Sequence, residues 1–460
     1  MMNNKEKLLW LLDKTTPLKT WSFLEDLQRT EKLSASAISD LQWARLQELL
    51  EFAYRKTAFY RQRFDRIGLR PSDLKCREDF AKIPLLTREE LGQHRAQIKS
   101  GESDFFIRSS GSTGRSPSQT HVDFKAASQK YAVYLRHLLR SGWDFDTKII
   151  HFLPSVYEKK IVDRENGIKQ LLSTFVQNEI AHAFFTSREV LFYDGLSPII
   201  EKEKLKYYFK KINAFKNVII MGRGSFLGLL AHNLRMSGWA IVKPRAIVNI
   251  GELLPEPLAQ RIAAVFDAPV YNIYGSAELS YIAGSCPQKS LLHLNEETHY
   301  VETVKDGDGS SISGKWGNIV VTDLFNHSMP LIRYQVGDVG HIRQDGCGCG
   351  GSRLLEVGGR QEALIKLNGR DPISEKEICD DLLDFENIWQ FKLEFRGNGA
   401  YKLEIVGDNV HCHQESIMGR LKAMGFDKVS VNFTERLDDH VDKMRYVKVQ
   451  DMSSAVNVSR

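Results

Sequence analysis

The stretch NVIIMGRGSFLGLLAHNLRMSGWAIVKPRAIVNIGELLPEPLAQRIAAVFDAPVYNIYG, Asn217 to Gly275, contains three short apolar runs. NVIIMG, AIVNIG and APVYNIYG are rich in β-branched residues, and each ends on a glycine turn signal at 222, 251 or 275. Helical patterns such as LPEPLAQRIAAVF fill the gaps. KIIHFLP, 148–154, is a fourth run of the same kind. Strand–helix alternation predicts an α/β fold with a mostly parallel, doubly wound sheet. Ligands bind such sheets beyond the carboxyl ends of the strands, where these turns fall.

Outward from that core the pattern changes twice. Residues 1–100 are mainly helical in pattern; SAISDLQWARLQELLEFAYRKTAFYRQRF carries helically spaced apolar residues, with Ser34 or Ser36 as an N-cap. From 291 to 358 the runs HYVETV, GNIVVTDL and RYQVGDVGHIR predict a smaller β-rich part. Beyond Gly358, YKLEIVG and KVSVNF with two helical patterns predict a separate α+β unit. The expected organisation is a large domain, 1–358, with a helical start (1–100), an α/β core (105–290) and a β-rich part (291–358). A small C-terminal domain, 359–460, follows.

With 460 residues the chain exceeds the ~250–300 at which single cores stop growing, so two or three domains are expected. A net charge of +5 is spread without a run of like charges, which argues against a nucleic-acid partner. The apolar run LLWLL before Asp13 is too short for a signal-peptide core or a membrane span, and a cytoplasmic location is expected.

Four pieces carry candidate chemistry. Ser109–Pro117 reads SSGSTGRSP: its glycines admit an anion close to the backbone and its hydroxyls can donate to phosphate oxygens, but a polar hairpin has the same composition. It is not a Walker loop, because Arg115 stands where that motif has Lys. GRGSFLG, 222–228, imitates a dinucleotide fingerprint with its third glycine one residue late, and reads as a plain strand-to-helix turn. Glu278, just past the strand YNIYG, could hold Mg²⁺ at the ligand rim or stabilise a helix N-terminus. Asp338, ending a strand in QVGDVG, could accept from ribose hydroxyls or form an Asx-turn.

The order of the pieces is more specific than any one of them. A Ser/Thr/Gly loop, Tyr-Gly-x-x-Glu, Gly-Asp, Gly-Arg and a C-terminal Lys together resemble the adenylate-forming superfamily of acyl-CoA synthetases, from about residue 80 onward. DLFNHSMPLIRYQVGDVG, then CGCG and GGRQEALI, is similar to the phenylacetate–CoA ligase-like branch, which includes capsule-biosynthesis proteins. The resemblance implies that Ser110, Gly111, Ser112, Thr113 and Gly114 cradle the β- and γ-phosphates of ATP. It sets Gly251 and Glu252 beside adenine, with Asn272, Tyr274, Gly275 and Ser276 around the nucleotide. Glu278 would bind Mg²⁺, Asp338 would hold the ribose assisted by Arg360, Gln361-Glu362 would be a hinge, and Lys443 would be the catalytic lysine. Ala277 and Asp442 depart from the family pattern, where a hydroxyl residue and a glycine usually stand.

The implied reaction is ATP-dependent activation of a carboxylic acid as acyl-AMP, then transfer, by default to CoA. An amine or protein acceptor is the alternative, and a catalytically degenerate nucleotide-binding scaffold is a second. A homodimer is compatible with this reading. Cys286, His293, Cys347 and Cys349 (C-x6-H, then C-x-C) supply three thiolates and an imidazole, a set suited to structural Zn²⁺. Free buried cysteines beside a glycine-rich turn are the other reading. Similar Cys/His sets in the resembling branch favour zinc.

Overall fold

A computed structural model describes residues 3–101, 105–108, 119–157, 186–286, 288, 290–307, 309–343, 347, 353–367, 370–437, 444 and 446–449. The chain opens on helices α1 (Asn4–Thr15), α2 (Thr20–Thr30), α3 (Ala35–Lys56), α4 (Ala58–Arg66), α5 (Arg77–Phe80), α6 (Arg88–Gln93) and α7 (Arg95–Ile98). Ser34 caps α3 by accepting from the Ala37 amide at 3.2 Å. Strands β1 (Phe105–Arg108) and β2 (Gln119–Val122) pair antiparallel on either side of the Ser/Gly loop. Asp123 then caps α8 (Phe124–Arg140), accepting from the Ala126 amide at 2.7 Å.

The α/β core comprises β3 (Lys148–Pro154), β4 (Arg188–Tyr193), α9 (Lys202–Asn213), β5 (Val218–Gly222), α10 (Gly224–Ser237), β6 (Ala246–Ile250), α11 (Glu256–Phe266) and β7 (Val270–Ser276). Its five strands are parallel, in the order β7-β6-β5-β3-β4. The apolar sequence of β5 follows from burial on both faces. Phe226 of α10 stacks on Tyr193 with ring centroids 3.9 Å apart, within a core that includes Phe152, Ile220, Leu230 and Ile262. Fully burying a side chain of this size stabilises by roughly 1.5–3 kcal/mol.

The strands that follow do not form a sheet of their own. β8 (Ser280–Ser285), β9 (Leu292–Leu294), β10 (His299–Val304), β11 (Ser311–Ile312), β12 (Trp316–Asp323), β13 (Tyr334–Arg343) and β14 (Leu354–Arg360) extend the parallel sheet. The result has twelve strands in the order β11-β10-β12-β13-β14-β9-β8-β7-β6-β5-β3-β4. The join is antiparallel pairing of β7 with β8, β8 with β9 and β9 with β14. β14 runs to Arg360, so the change of sheet falls at the one-turn helix Gln361–Ala363 and not at 358.

The C-terminal unit contains α12 (Glu375–Leu383), β15 (Ile388–Gly397), β16 (Ala400–Gly407), α13 (Gln414–Met424), β17 (Lys428–Phe433) and β18 (Val447–Lys448). Its sheet order is β17-β16-β15-β18. Ile388, Phe391, Leu403 and Leu421 share one buried cluster with α10 and α11, so the unit packs tightly on the large sheet's helices. Among the described residues no helix is long and apolar enough to cross a membrane.

Candidate functional site

Tyr274 near the carboxyl end of β7 reaches Asp338 in β13, which faces Arg360 at the end of β14, while β6 lies beside β7. Gly251, after β6, has φ +80°, a left-handed conformation that side chains rarely adopt. Gly275 closes β7 so near to the next strand that a Cβ would lie 1.9 Å from the Ser280 carbonyl oxygen. The Tyr-Gly pair is therefore a steric requirement of the β7–β8 turn. Glu278 sits in that turn, between antiparallel strands; the helix N-terminus of the alternative reading does not form. Glu278 is 5% exposed, and its carboxylate raises the pKa of the Tyr334 hydroxyl, second to burial. The Ser276 hydroxyl accepts from the Leu279 amide at 3.2 Å, which orders the turn beside Ala277.

Asp338 does not end its strand. It lies within β13, opposite Arg360 of β14, at a register shift between Val339 and Gly340. The bulge turns its carboxylate toward β7, where Oδ2 accepts from the Tyr274 hydroxyl at 2.8 Å. Arg360 Nε lies 3.3 Å from Asp338 Oδ1, and this carboxylate is the largest cause holding the Arg360 pKa above its ordinary value. Burial and then Asp338 push the Tyr274 hydroxyl well above the usual range, so it stays a neutral donor. The trio forms a charge-compensated wall with hydrogen-bonding capacity for hydroxyl groups.

Asn249, in β6, was not among the sequence candidates. It is fully buried: its Oδ1 accepts from the Gly224 amide, and its Nδ2 donates to the Glu252 carbonyl and to Asn272 Oδ1, all within 2.8 Å. A polar residue inside the apolar run AIVNI was the signal. Glu252, 8% exposed, is a clasp between the two units: Oε2 accepts from the Ser225 amide at 2.8 Å and Oε1 from the Met444 amide at 2.7 Å.

Lys443, which precedes Met444, lies outside the described residues, as do Ser110, Gly111, Ser112, Thr113 and Gly114. A second polar cluster, also missed, lies toward β3–β5. There Arg223 donates to the Tyr157 hydroxyl at 3.2 Å and Arg188 Nη1 lies 3.5 Å from His151 Nδ1. Burial, then these two guanidinium groups, hold the His151 pKa well below 6.5.

Cys286, directly after β8, His293, in β9, and Cys347 bring their ligand atoms within 4.8 Å of one another, and all three are buried. Cys347 Sγ is 3.2 Å from His293 Nε2, and the Gln288 amide donates to Cys286 Sγ at 3.4 Å. Burial, then Arg140, pushes the His293 pKa down to about 4, which keeps the imidazole neutral. Neutral imidazole and converging thiols fit a tetrahedral zinc set, in which Zn–S and Zn–N bonds of ~2.3 and ~2.0 Å put ligand atoms under ~4 Å apart. Cys347 is disulfide-bonded while Cys286 is a free thiol, so a metal at this cluster requires that disulfide reduced. Cys349 lies outside the described residues.

No protein-family model matches the chain. Phenylacetate-coenzyme A ligase of Thermus thermophilus is 26% identical over 75% of this chain and 74% of its own length. Protein CapK of Staphylococcus aureus is 29% identical over 30% of this chain and 29% of its own. Among solved structures, 2-hydroxyisobutyryl-CoA ligase in the postadenylation state with R3-HIB-AMP superposes with a TM-score of 0.72 at 17% identity, covering 93% of this chain and 92% of that one.

Proposed function

We propose that this chain, a member of the adenylate-forming superfamily by its relatives and its fold, activates a carboxylic acid as acyl-AMP and transfers the acyl group to the thiol of CoA. The observation that carries the reading is the meeting of Tyr274, Asp338 and Arg360, with Glu252 bonded to the residue after Lys443.

A carboxylate is a poor electrophile because its leaving group would be oxide. Attack of its oxygen on the α-phosphorus of ATP expels pyrophosphate and leaves an acyl-adenylate. Attack by a thiol, which gives up its proton, then expels AMP. The protein's part is to position the reactants and neutralise developing charge. Asp338, oriented by Tyr274 and Arg360, accepts from the ribose hydroxyls in this reading. Gly251, Glu252, Asn272, Gly275 and Ser276 border the base and α-phosphate. Glu278 would hold Mg²⁺, which supplies charge neutralisation at the phosphates. Ser110 to Gly114 would cradle the departing pyrophosphate, Lys443 would meet charge on the α-phosphoryl group, and the turn at Gln361–Glu362 would be the hinge between half-reactions. Cys286, His293, Cys347 and Cys349 would hold a structural zinc.

ATP–pyrophosphate exchange across a panel of carboxylic acids, with and without CoA, tests the reading. Acid-dependent exchange with CoA-dependent AMP release is expected. Exchange supported by no acid overturns it, and AMP release that follows amine and ignores CoA replaces the acceptor.

A further inference from the structure

A cavity of about 630 Å³ lies between the outer faces of α10 and α11 and the start of β15 in the C-terminal unit. It follows α10 away from the Asp338 rim, and only its inner end, at Ser225 and Met444, borders Glu252. Its volume is that of a small-molecule site, for which ~300–1,000 Å³ is typical.

Four polar atoms on its lining have no hydrogen-bond partner among the described residues: Ser225 Oγ, His232 Nδ1, Trp389 Nε1 and Gln390 Oε1. Ser225 is 6% exposed and Gln390 2%, so neither is satisfied by bulk water. The orientation of Gln390 is set, because its Nε2 donates to the Leu196 carbonyl at 2.8 Å; a flipped amide would oppose two oxygens there. Its free Oε1 is therefore an acceptor awaiting a donor. Trp389 offers the reverse, an indole N–H awaiting an acceptor.

The walls suit a flat ring. His232 packs on Trp389 with ring centroids 3.6 Å apart, and the Arg235 guanidinium stands 5.7 Å from the Trp389 ring at the mouth. Two other cations on the lining are engaged: Arg261 donates to the Ile388 and Phe385 carbonyls, and Lys243 pairs with Asp267 at 2.7 Å. Arg235 is left to meet an anionic edge of a ligand.

We propose that this cavity binds a small planar aromatic anion bearing an N–H donor, and that its occupancy holds the C-terminal unit against α10 and α11. The ring lies against Trp389 and His232, the N–H donates to Gln390 Oε1, and the anionic edge takes the Trp389 N–H and faces Arg235. Because the ligand touches both units, it opposes any rotation of one against the other. That kinetic consequence rests on the two-step reaction proposed above; the binding does not.

The probe is indole-5-sulfonate, a planar anion with an N–H donor, titrated by calorimetry into the full chain. Saturable one-to-one binding is expected, unaffected by saturating AMP. Trp389→Phe and Gln390→Leu each remove one hydrogen bond to the probe, Gln390→Leu also the bond to the Leu196 carbonyl, and each is expected to weaken binding about tenfold. Ala264→Trp, at an exposed position on the mouth, should abolish it without unfolding the chain. Bound probe should slow CoA-dependent AMP release more than pyrophosphate exchange. No saturable binding, binding equal in all three variants, or displacement by AMP each overturns the site. If no acid supports exchange but the variants still discriminate, the proposed reaction fails and the cavity assignment stands.

Discussion

Glu252→Gln should separate the two proposed half-reactions. In the protein both carboxylate oxygens accept backbone amides, Ser225 from α10 and Met444 from the far end of the C-terminal unit. Glutamine has the same shape but places an NH₂ group at one of these positions, where it confronts an N–H. One charge-assisted hydrogen bond is lost, worth about 1.5–3 kcal/mol. At 1.36 kcal/mol per decade this is about 10- to 150-fold in any step that needs both units clasped. Met444 directly follows Lys443, so in the proposed reaction the clasp would serve the adenylation step assigned to this lysine.

The assay compares acid-dependent pyrophosphate exchange with thioester formation from added acyl-adenylate. The expected result is an exchange rate lower by that factor, expressed in kcat and not in the KM for ATP, with thioester formation unchanged. Equal loss in both half-reactions would mean that Glu252 only stabilises the fold. Unchanged exchange would mean that the bond to Met444 does not matter for adenylation.

Local sequence carried the α/β core, because VIIM and AIVNI have the composition of strands buried on both faces and end where the chain must turn. The union of the parallel and antiparallel parts into one sheet was not legible. It depends on β9, three residues long, whose pairing with β8 and β14 leaves no periodicity to count. Asp338 looked like a strand end because glycines flank it; the ladder absorbs them as a bulge, and Gly337 at φ +87° continues the strand. The Glu252–Met444 clasp joins residues 192 apart, and no local pattern encodes such a bond. Arg333 was legible only as part of a motif. In the fold it is 1% exposed, paired with Glu302, and donates to the carbonyls of Ala81, Ile83 and Gly309, so part of that motif is structural. The cavity against β15 was invisible for the same reason as the clasp: His232 and Trp389 meet only through tertiary packing.

Gly275→Ala places a methyl group against the Ser280 carbonyl and should cost at least about 1–3 kcal/mol, read as a lower urea midpoint; a wild-type midpoint would refute the steric argument. His151 is held neutral below pH 6.5, so the unfolded chain binds the extra proton and stability falls as pH drops below about 6.5. His151→Gln should flatten that fall in urea midpoints measured from pH 7 to 5, and an unchanged slope would refute it. Metal analysis of the purified chain should find about one zinc, lost in Cys286→Ser and in His293→Ala. The metal's place in the sheet gives this prediction its force. Cys286 directly follows β8 and His293 lies in β9, so the ion would sit at the narrow seam that joins β7, which carries Tyr274, to β14, which carries Arg360. Chelation should therefore lower the melting temperature and also weaken ATP binding, because Tyr274 and Asp338 meet across that seam. A metal-free chain with an unchanged melting temperature, and two thiols missing on titration, would assign the Cys347 cluster to a disulfide and remove zinc from the account.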